Sequence, residues 1–251
     1  MEIDLYDDAH KQSPPPDLIK DIHESNDKPS ELAQPDFGLD SLAGLLASFA
    51  AAPLYLYSSL KGKFKVWDEI LDGLPDSAFH GPTLDVGCGR GMVLLKTAQR
   101  KKRLSITSPA IGIDIFSTAD QTGNSPAATY QNATCLDVVQ QTVLHRASFT
   151  ERLPFADGVF SLVTSSLAVH NVSKEGRAQA IADMARVCSP DGHIIIIDLY
   201  GHHAEYQKHL VGLGWNSVKV AMAGMRMMYG VWPCQVLTAT RPSMGEQATG
   251  L

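Results

Sequence analysis

The chain is short of cysteine: Cys88, Cys135, Cys188 and Cys234 stand far apart, with no C-x-x-C pair and no histidine at ligand spacing. That pattern excludes a zinc cluster and a disulfide framework and points to a reducing, cytoplasmic setting. A secretory leader is not expected, because Met1–His10 is acidic and has neither a basic start nor an apolar run. Glycosylation of Asn171-Val172-Ser173 is accordingly not expected either. A basic face is missing too. Residues 1–40 carry 11 Asp and Glu against 3 Lys, which leaves 16 acids against 18 bases in the rest and no electrostatic footprint for nucleic acid. Long apolar runs are absent except for Ser41–Leu60, which has no charged residue and is followed by Lys61, Lys63 and Lys65. Pro53, the alanines at 47 and 50–52, the serines at 41, 48, 58 and 59 and two tyrosines make it a mediocre apolar segment. The expectation is a packed helix or lid and no stable membrane span, with interfacial attachment of 41–60 left open.

What is present suits one α/β domain with a short appendage: 251 residues, 44% hydrophobic and 19% charged. Residues 1–37, with the Ser13-Pro14-Pro15-Pro16 run, read as a flexible acidic arm, and 38–78 as a helical lid or appendage. Within the lid the pattern predicts two helices over 42–73, broken near Pro53 and stopped at Gly73-Leu74-Pro75. Residues 79–242 form the main domain and 243–251 a tail. Thr83–Val86, Ala110–Ile115, Phe160–Ser165 and His193–Leu199 read as buried strands, with Met92–Lys101 and Arg177–Val187 as helices. Ser189-Pro190-Asp191-Gly192 reads as a tight turn ahead of Ile194–Ile197, a run without polar alternation that suits a central strand. Glu205–Leu213 reads as a helix, and Ser217–Ala221 and Gln235–Thr240 as two closing strands at an antiparallel edge. The predicted fold class is a Rossmann-like, seven-stranded, mostly parallel sheet with helices on both faces and an N-terminal helical appendage.

Chemistry concentrates at the end of the first strand, in Leu84-Asp85-Val86-Gly87-Cys88-Gly89-Arg90-Gly91. Glycines there let the backbone turn sharply, and amides at the following helix start can receive an anion. Asp85 offers a carboxylate to an ammonium, directly or through water and loop amides. Asp114, in Gly112-Ile113-Asp114-Ile115, ends the next strand, where an acid accepts hydrogen bonds from ribose hydroxyls. A dinucleotide site is the rival reading. The spacing here is G-x-G-x-G, with Met92 where a G-x-G-x-x-G fingerprint wants its last glycine.

Leu84–Gly91 resembles motif I of class I S-adenosylmethionine (SAM)-dependent methyltransferases, especially the small-molecule group that includes ubiquinone and menaquinone biosynthesis enzymes. Leu153-Pro154-Phe155-Ala156-Asp157-Gly158-Val159-Phe160 is similar to the family's L-P-F-x-D-x-x-F segment. Arg186-Val187-Cys188-Ser189-Pro190-Asp191-Gly192-His193 resembles its R-V-L-x-P-G-G-x turn. Over about residues 80–241 the resemblance implies SAM as cofactor, a small-molecule acceptor, no required metal, and cofactor contacts from Asp85, Gly87, Cys88, Gly89, Gly91, Asp114 and Ile115. Many members carry an adenine-binding acid four residues before the L-P-F leucine; Phe149 stands there, so Phe149 and Thr150 are expected to flank the adenine, with Glu151 as an acceptor. Asp120-Gln121-Thr122-Gly123-Asn124-Ser125 resembles a loop of some bacterial members; Asp120 and Asn124 are expected to hold the loop here, as Asx residues often do.

On the acceptor side, Ser165 is expected to meet the methionine end through its backbone. His170, in Ser165–Asn171, is the candidate for acceptor orientation or proton removal, with loop fixing by hydrogen bonds as the competing role. Tyr200, His202 and His203 form a second polar group after the fifth strand. Tyr55, Tyr57, Met222, Met225, Met227 and Met228 are read as packing or as an adaptable apolar wall. Three functions stay open: methyl transfer to a metabolite, cofactor binding for non-methylating or regulatory use, and a NAD-type oxidoreductase.

Overall fold

A computed structural model of the chain describes residues 11–12, 52–118, 121–230 and 232–240. The rest of the expected 1–37 arm, the start of the 38–78 lid and the 243–251 tail lie outside these residues, as does Asp120. The described elements are strand β1 (Lys11–Gln12), helix α1 (Ala52–Tyr57), a π-helical turn (Ser58–Gly62), α2 (Lys63–Asp72), β2 (Thr83–Val86), α3 (Met92–Arg103), β3 (Ala110–Asp114), α4 (Pro126–Cys135), β4 (Thr142–Arg146), β5 (Phe160–Ser166), α5 (Lys174–Val187), β6 (Cys188–Leu199), α6 (His203–Gly212), β7 (Ser217–Met222), β8 (Met228–Tyr229) and β9 (Trp232–Thr240), with short 3-10 turns between some of them.

The main sheet runs β1-β4-β3-β2-β5-β6-β9-β7, with β8 pairing on β9. Strands β4, β3, β2, β5 and β6 are mutually parallel, and β9 is antiparallel to both of its neighbours. This is the expected Rossmann-like sheet, with the two closing strands at one edge and Lys11–Gln12 added antiparallel at the other. Chain order reverses at β2, between β3 and β5, and such a switch point opens a crevice at the carboxyl ends of the strands. Among the described residues no helix is long and apolar enough to cross a membrane.

The isoleucine run shows why the sheet needs cover on both faces. Ile194 and Ile196 pack with Ile181, Met184, Tyr206 and Leu210 of α5 and α6, while Ile195 and Ile197 pack with Val66, Trp67 and Val93 of α2 and α3. Side chains alternate across a strand, so a run with no polar break has to be buried on both sides.

One local expectation is left at the edge of the described residues and one is corrected. The first of the two helices expected over 42–73, and with it the break near Pro53, falls on 42–51, which lie outside the described residues; within them α1 covers Ala52–Tyr57 and an irregularity lies at 58–62. Its cause is a close approach. A Cβ on Gly62 would stand 2.0 Å from the Arg226 carbonyl oxygen, and Ser58 Oγ accepts from the Met228 amide at 2.8 Å. The predicted turn at Ser189–Gly192 is instead absorbed into β6: pairing with β5 jumps from Phe160↔Cys188 to Leu162↔His193, so these residues bulge from the ladder.

The two segments flanking this bulge are physically joined. The Arg186 guanidinium donates to the carbonyls of Phe155 (2.7 Å) and Leu153 (3.0 Å) and to the carboxylates of Asp157 (2.7 Å) and Asp183 (2.6 Å). The Leu153 amide donates to Asp183, and the Gly158 amide to the Arg186 carbonyl at 2.9 Å. Both motifs therefore act as one clamp that sets the entry to β5 and β6.

Candidate functional site

A cavity of about 240 Å³ opens at the switch point, and its lining includes Asp85, Gly87, Cys88, Gly89, Asp114, Ile115 and Phe149. Two of the loop glycines are required by geometry. Gly87 (φ 69°) and Gly89 (φ 52°) adopt left-handed backbone, and a Cβ on them would stand 2.3 Å from Ala168 Cβ and 2.5 Å from Gln121 Oε1. Gly91 is buried behind the loop and is not on the wall.

The amides of this loop are largely committed within the protein. Gly87 and Cys88 donate to the Ile113 carbonyl (2.9 and 3.0 Å), Gly91 to the Cys88 carbonyl (2.8 Å), Gly89 to Asp114 Oδ2 (2.9 Å) and Arg90 to Gln121 Oε1 (3.1 Å). What remains for an anion among the described residues is the start of α3, at Met92 and Val93, both on the cavity wall.

Asp85 pairs in register with Thr164, whose hydroxyl donates to Oδ1 at 2.8 Å, and its Oδ2 accepts from the Leu94 amide at 3.0 Å. Burial raises its pKa to about 7; the bonds from Thr164 and Leu94 oppose the rise, and the Asp114 charge adds to it. Asp114 Oδ1 accepts from the Phe116 amide (2.5 Å) and from Asn124 Nδ2 (3.2 Å). Between the two acids, burial pushes the Cys88 thiol well up, with both carboxylates adding to the rise, so it stays protonated and is no nucleophile.

The remaining sequence candidates divide. Phe149 reaches the wall, but Thr150 and Glu151 are exposed, and the Thr150 hydroxyl is bonded to Ser148 Oγ at 2.7 Å. Ser165 is fully buried, and its hydroxyl donates to the Val86 carbonyl at 2.8 Å; it joins β5 to β2, while the next residue, Ser166, faces the cavity and accepts from Trp67 Nε1 at 3.0 Å. Tyr200 is exposed, and His203 is buried with Nε2 3.4 Å from the Ile196 carbonyl oxygen, so neither meets the cavity.

His170 stands beside the wall rather than on it. Its ring packs edge-on against Tyr229, a lining residue, at 5.7 Å between centroids. Nδ1 lies 2.5 Å from Asp198 Oδ1, and the His170 amide donates to Asp198 Oδ2 at 2.9 Å. Asp198 is fully buried and also accepts from the Tyr206 hydroxyl at 3.0 Å. With Nδ1–H donating to this carboxylate, Nε2 carries the lone pair. The pairing ties this loop to β6 and fixes the orientation of the ring.

Sequence reasoning missed Lys63, Gln121, Tyr229 and Asp198. Lys63 is only 3% exposed yet lines the cavity, brought there by the π-helical turn that precedes it. Asp198 ends the isoleucine strand beside the acceptor-side loops, and an acid closing an otherwise apolar strand was the signal available for it.

Residues 84–196 match the family described as "Methyltransferase domain". Among curated proteins, the ubiquinone/menaquinone biosynthesis C-methyltransferase of Geotalea daltonii is 28% identical over 147 residues, covering 58% of this chain and 57% of that protein. An uncharacterized methyltransferase of Staphylococcus carnosus is 26% identical over 145 residues, covering 58% of this chain and 59% of that one. The chain thus spans somewhat over half the length of these relatives. Among solved structures, geranyl diphosphate C-methyltransferase of Streptomyces coelicolor superposes with a TM-score of 0.56 at 14% identity, over 92% of this chain and all of that one (100%), which shows a shared fold.

Proposed function

We propose that this protein, whose residues 84–196 match a methyltransferase domain family, is a class I SAM-dependent methyltransferase that binds SAM in the switch-point cavity and methylates a small-molecule acceptor. The observation that carries the reading is that Asp85 and Asp114, from adjacent strand ends, line one cavity together with the glycine loop. The donor set fits a molecule with an amino-acid end and a ribose. Asp85 answers an ammonium, Met92, Val93 and the buried Lys63 answer a carboxylate, and Asp114 answers a ribose hydroxyl. Ile115 and Phe149 offer apolar cover for an adenine.

Bound SAM supplies an activated methyl group, so positioning and exclusion of water account for much of the rate. Ser166, Asn171 and Tyr229 line the same cavity and orient the acceptor. His170, its tautomer set by Asp198, takes the proton from acceptors that are protonated at working pH. Asp198 acts through His170 and is a positioning residue.

The test is isothermal titration with SAM, S-adenosylhomocysteine and NADH on the intact protein and on Asp85→Ala and Asp114→Ala. Micromolar binding of the two sulfur ligands, lost in both variants, supports the reading and justifies an acceptor screen. Preference for NADH, or no binding to the intact protein, overturns it.

A further inference from the structure

The Gln121–Ser125 segment is wrapped onto the glycine loop, and one of its atoms is left over. Asn124 is 4% exposed and lines the cavity. Both donors of its side-chain amide face protein, with Nδ2 bonded to Asp114 Oδ1 at 3.2 Å and to the Ser117 carbonyl at 3.4 Å. Its carbonyl oxygen, Oδ1, is enclosed and has no partner among the described residues. An enclosed amide oxygen without a donor costs about 1–3 kcal/mol, so proteins rarely keep one unless something supplies the donor.

Acceptor capacity at Asp114 says what that donor is. A carboxylate offers about four acceptor positions. At least three are taken by the Gly89 amide, the Phe116 amide and Asn124 Nδ2, so at most one is left for a ligand. A ribose brings two hydroxyl donors, and Asp114 cannot receive both. We propose that Asn124 Oδ1 accepts one ribose hydroxyl while Asp114 accepts the other, the two residues forming a split clamp for the vicinal diol. This rests on the SAM reading above, and it assigns the conspicuous Gln121-Thr122-Gly123-Asn124 segment a share of ligand recognition. Asn124 Nδ2 sets the distance between the two acceptors, so the clamp is built before the ligand arrives.

The experiment is a cycle that pairs changes in ligand and protein. S-adenosylhomocysteine and its 2′-deoxy and 3′-deoxy analogues are titrated into the wild type and Asn124→Ala. In the wild type, removing the hydroxyl that meets Asn124 is expected to weaken binding about tenfold, the size of one hydrogen bond to a neutral partner. In Asn124→Ala that hydroxyl should matter less than twofold, while the other keeps its contribution. A purely structural role would weaken all three ligands alike, and that result overturns the proposal. As a readout that needs no variant, the Asn124 side-chain 15N–1H signals of the wild type should shift with S-adenosylhomocysteine and with only one deoxy analogue; no difference between the analogues also overturns it. Failure of the intact protein to bind S-adenosylhomocysteine at all overturns the SAM reading as well and is thereby distinguished.

Discussion

Asp85 makes ligand binding depend on pH in a calculable way. Its pKa is raised from 3.8 to about 7 chiefly by burial, so in the ligand-free protein ionisation is opposed by about 4 kcal/mol. For a buried acid with a raised pKa, the stability it contributes is present at pH below about 4 and is lost as pH rises through about 7. A ligand ammonium beside the carboxylate reverses that cost by favouring the ionised form. If binding returns Asp85 to an ordinary carboxylate, affinity should rise roughly tenfold per unit between pH 5 and 7 and level off above 7, about a hundredfold in all. The assay is titration calorimetry with S-adenosylhomocysteine across this range in two buffers of different ionisation enthalpy, which counts the proton released. Near pH 6 close to one proton should leave per ligand bound. Thr164→Val, which removes a bond that lowers this pKa, should move the plateau above pH 7, and Asp85→Asn should flatten the curve. A wild-type curve with no proton release, or the same slope in Asp85→Asn, would refute the reasoning.

Gly62→Ala forces a Cβ onto the Arg226 carbonyl, where only backbone can move, and is expected to cost about 1–3 kcal/mol in denaturant unfolding and to weaken S-adenosylhomocysteine binding through Lys63. Asp198→Asn removes the carboxylate that orients His170; kcat on an accepted substrate should fall roughly 10²-fold while affinity for S-adenosylhomocysteine changes less than about twofold, and equal losses in both would argue against the positioning role. Lys101, buried on α3, donates to the carbonyls of Phe79 (2.7 Å) and Gly81 (2.6 Å) and to Ser108 Oγ (2.9 Å). Lys101→Met orphans these acceptors and should destabilise the fold by about 3 kcal/mol or more, read as a fall in Tm of several degrees.

Elements with strong one-dimensional signals were legible in the sequence. Thr83–Val86 is a strand over the residues predicted, and the helix expected from Met92 begins there, because an apolar run ending in glycines leaves few alternatives. Helix α4 gave no comparable signal: its apolar residues do not gather on one face, and only the Ser125 cap, which accepts from the Ala128 amide at 3.1 Å, and Pro126 mark its start. Strand β4, Thr142–Arg146, is equally short of pattern. At the site, acids and glycines adjacent in sequence were readable as a set. Lys63, Tyr229 and Asn124 owe their position on the wall to tertiary packing, and no local spacing announces them. Ser165 and Ser166 show the limit most sharply, since a shift of one residue along a strand exchanges the covered face for the cavity.

The bond between Ser58 and the Met228 amide ties together two stretches that lie 170 residues apart in the chain, one on each side of the ligand-recognising core. During synthesis the glycine loop and both acids have a sheet to sit on once β5 has emerged, at Ser166, but the wall carrying Tyr229 and bracing Lys63 has to wait for the last hairpin. A nascent or C-terminally clipped chain therefore exposes the pocket on one side. Proteolysis that removes the hairpin should leave a fragment that still presents Asp85 and Asp114 but has lost the enclosure that keeps water from a reacting acceptor.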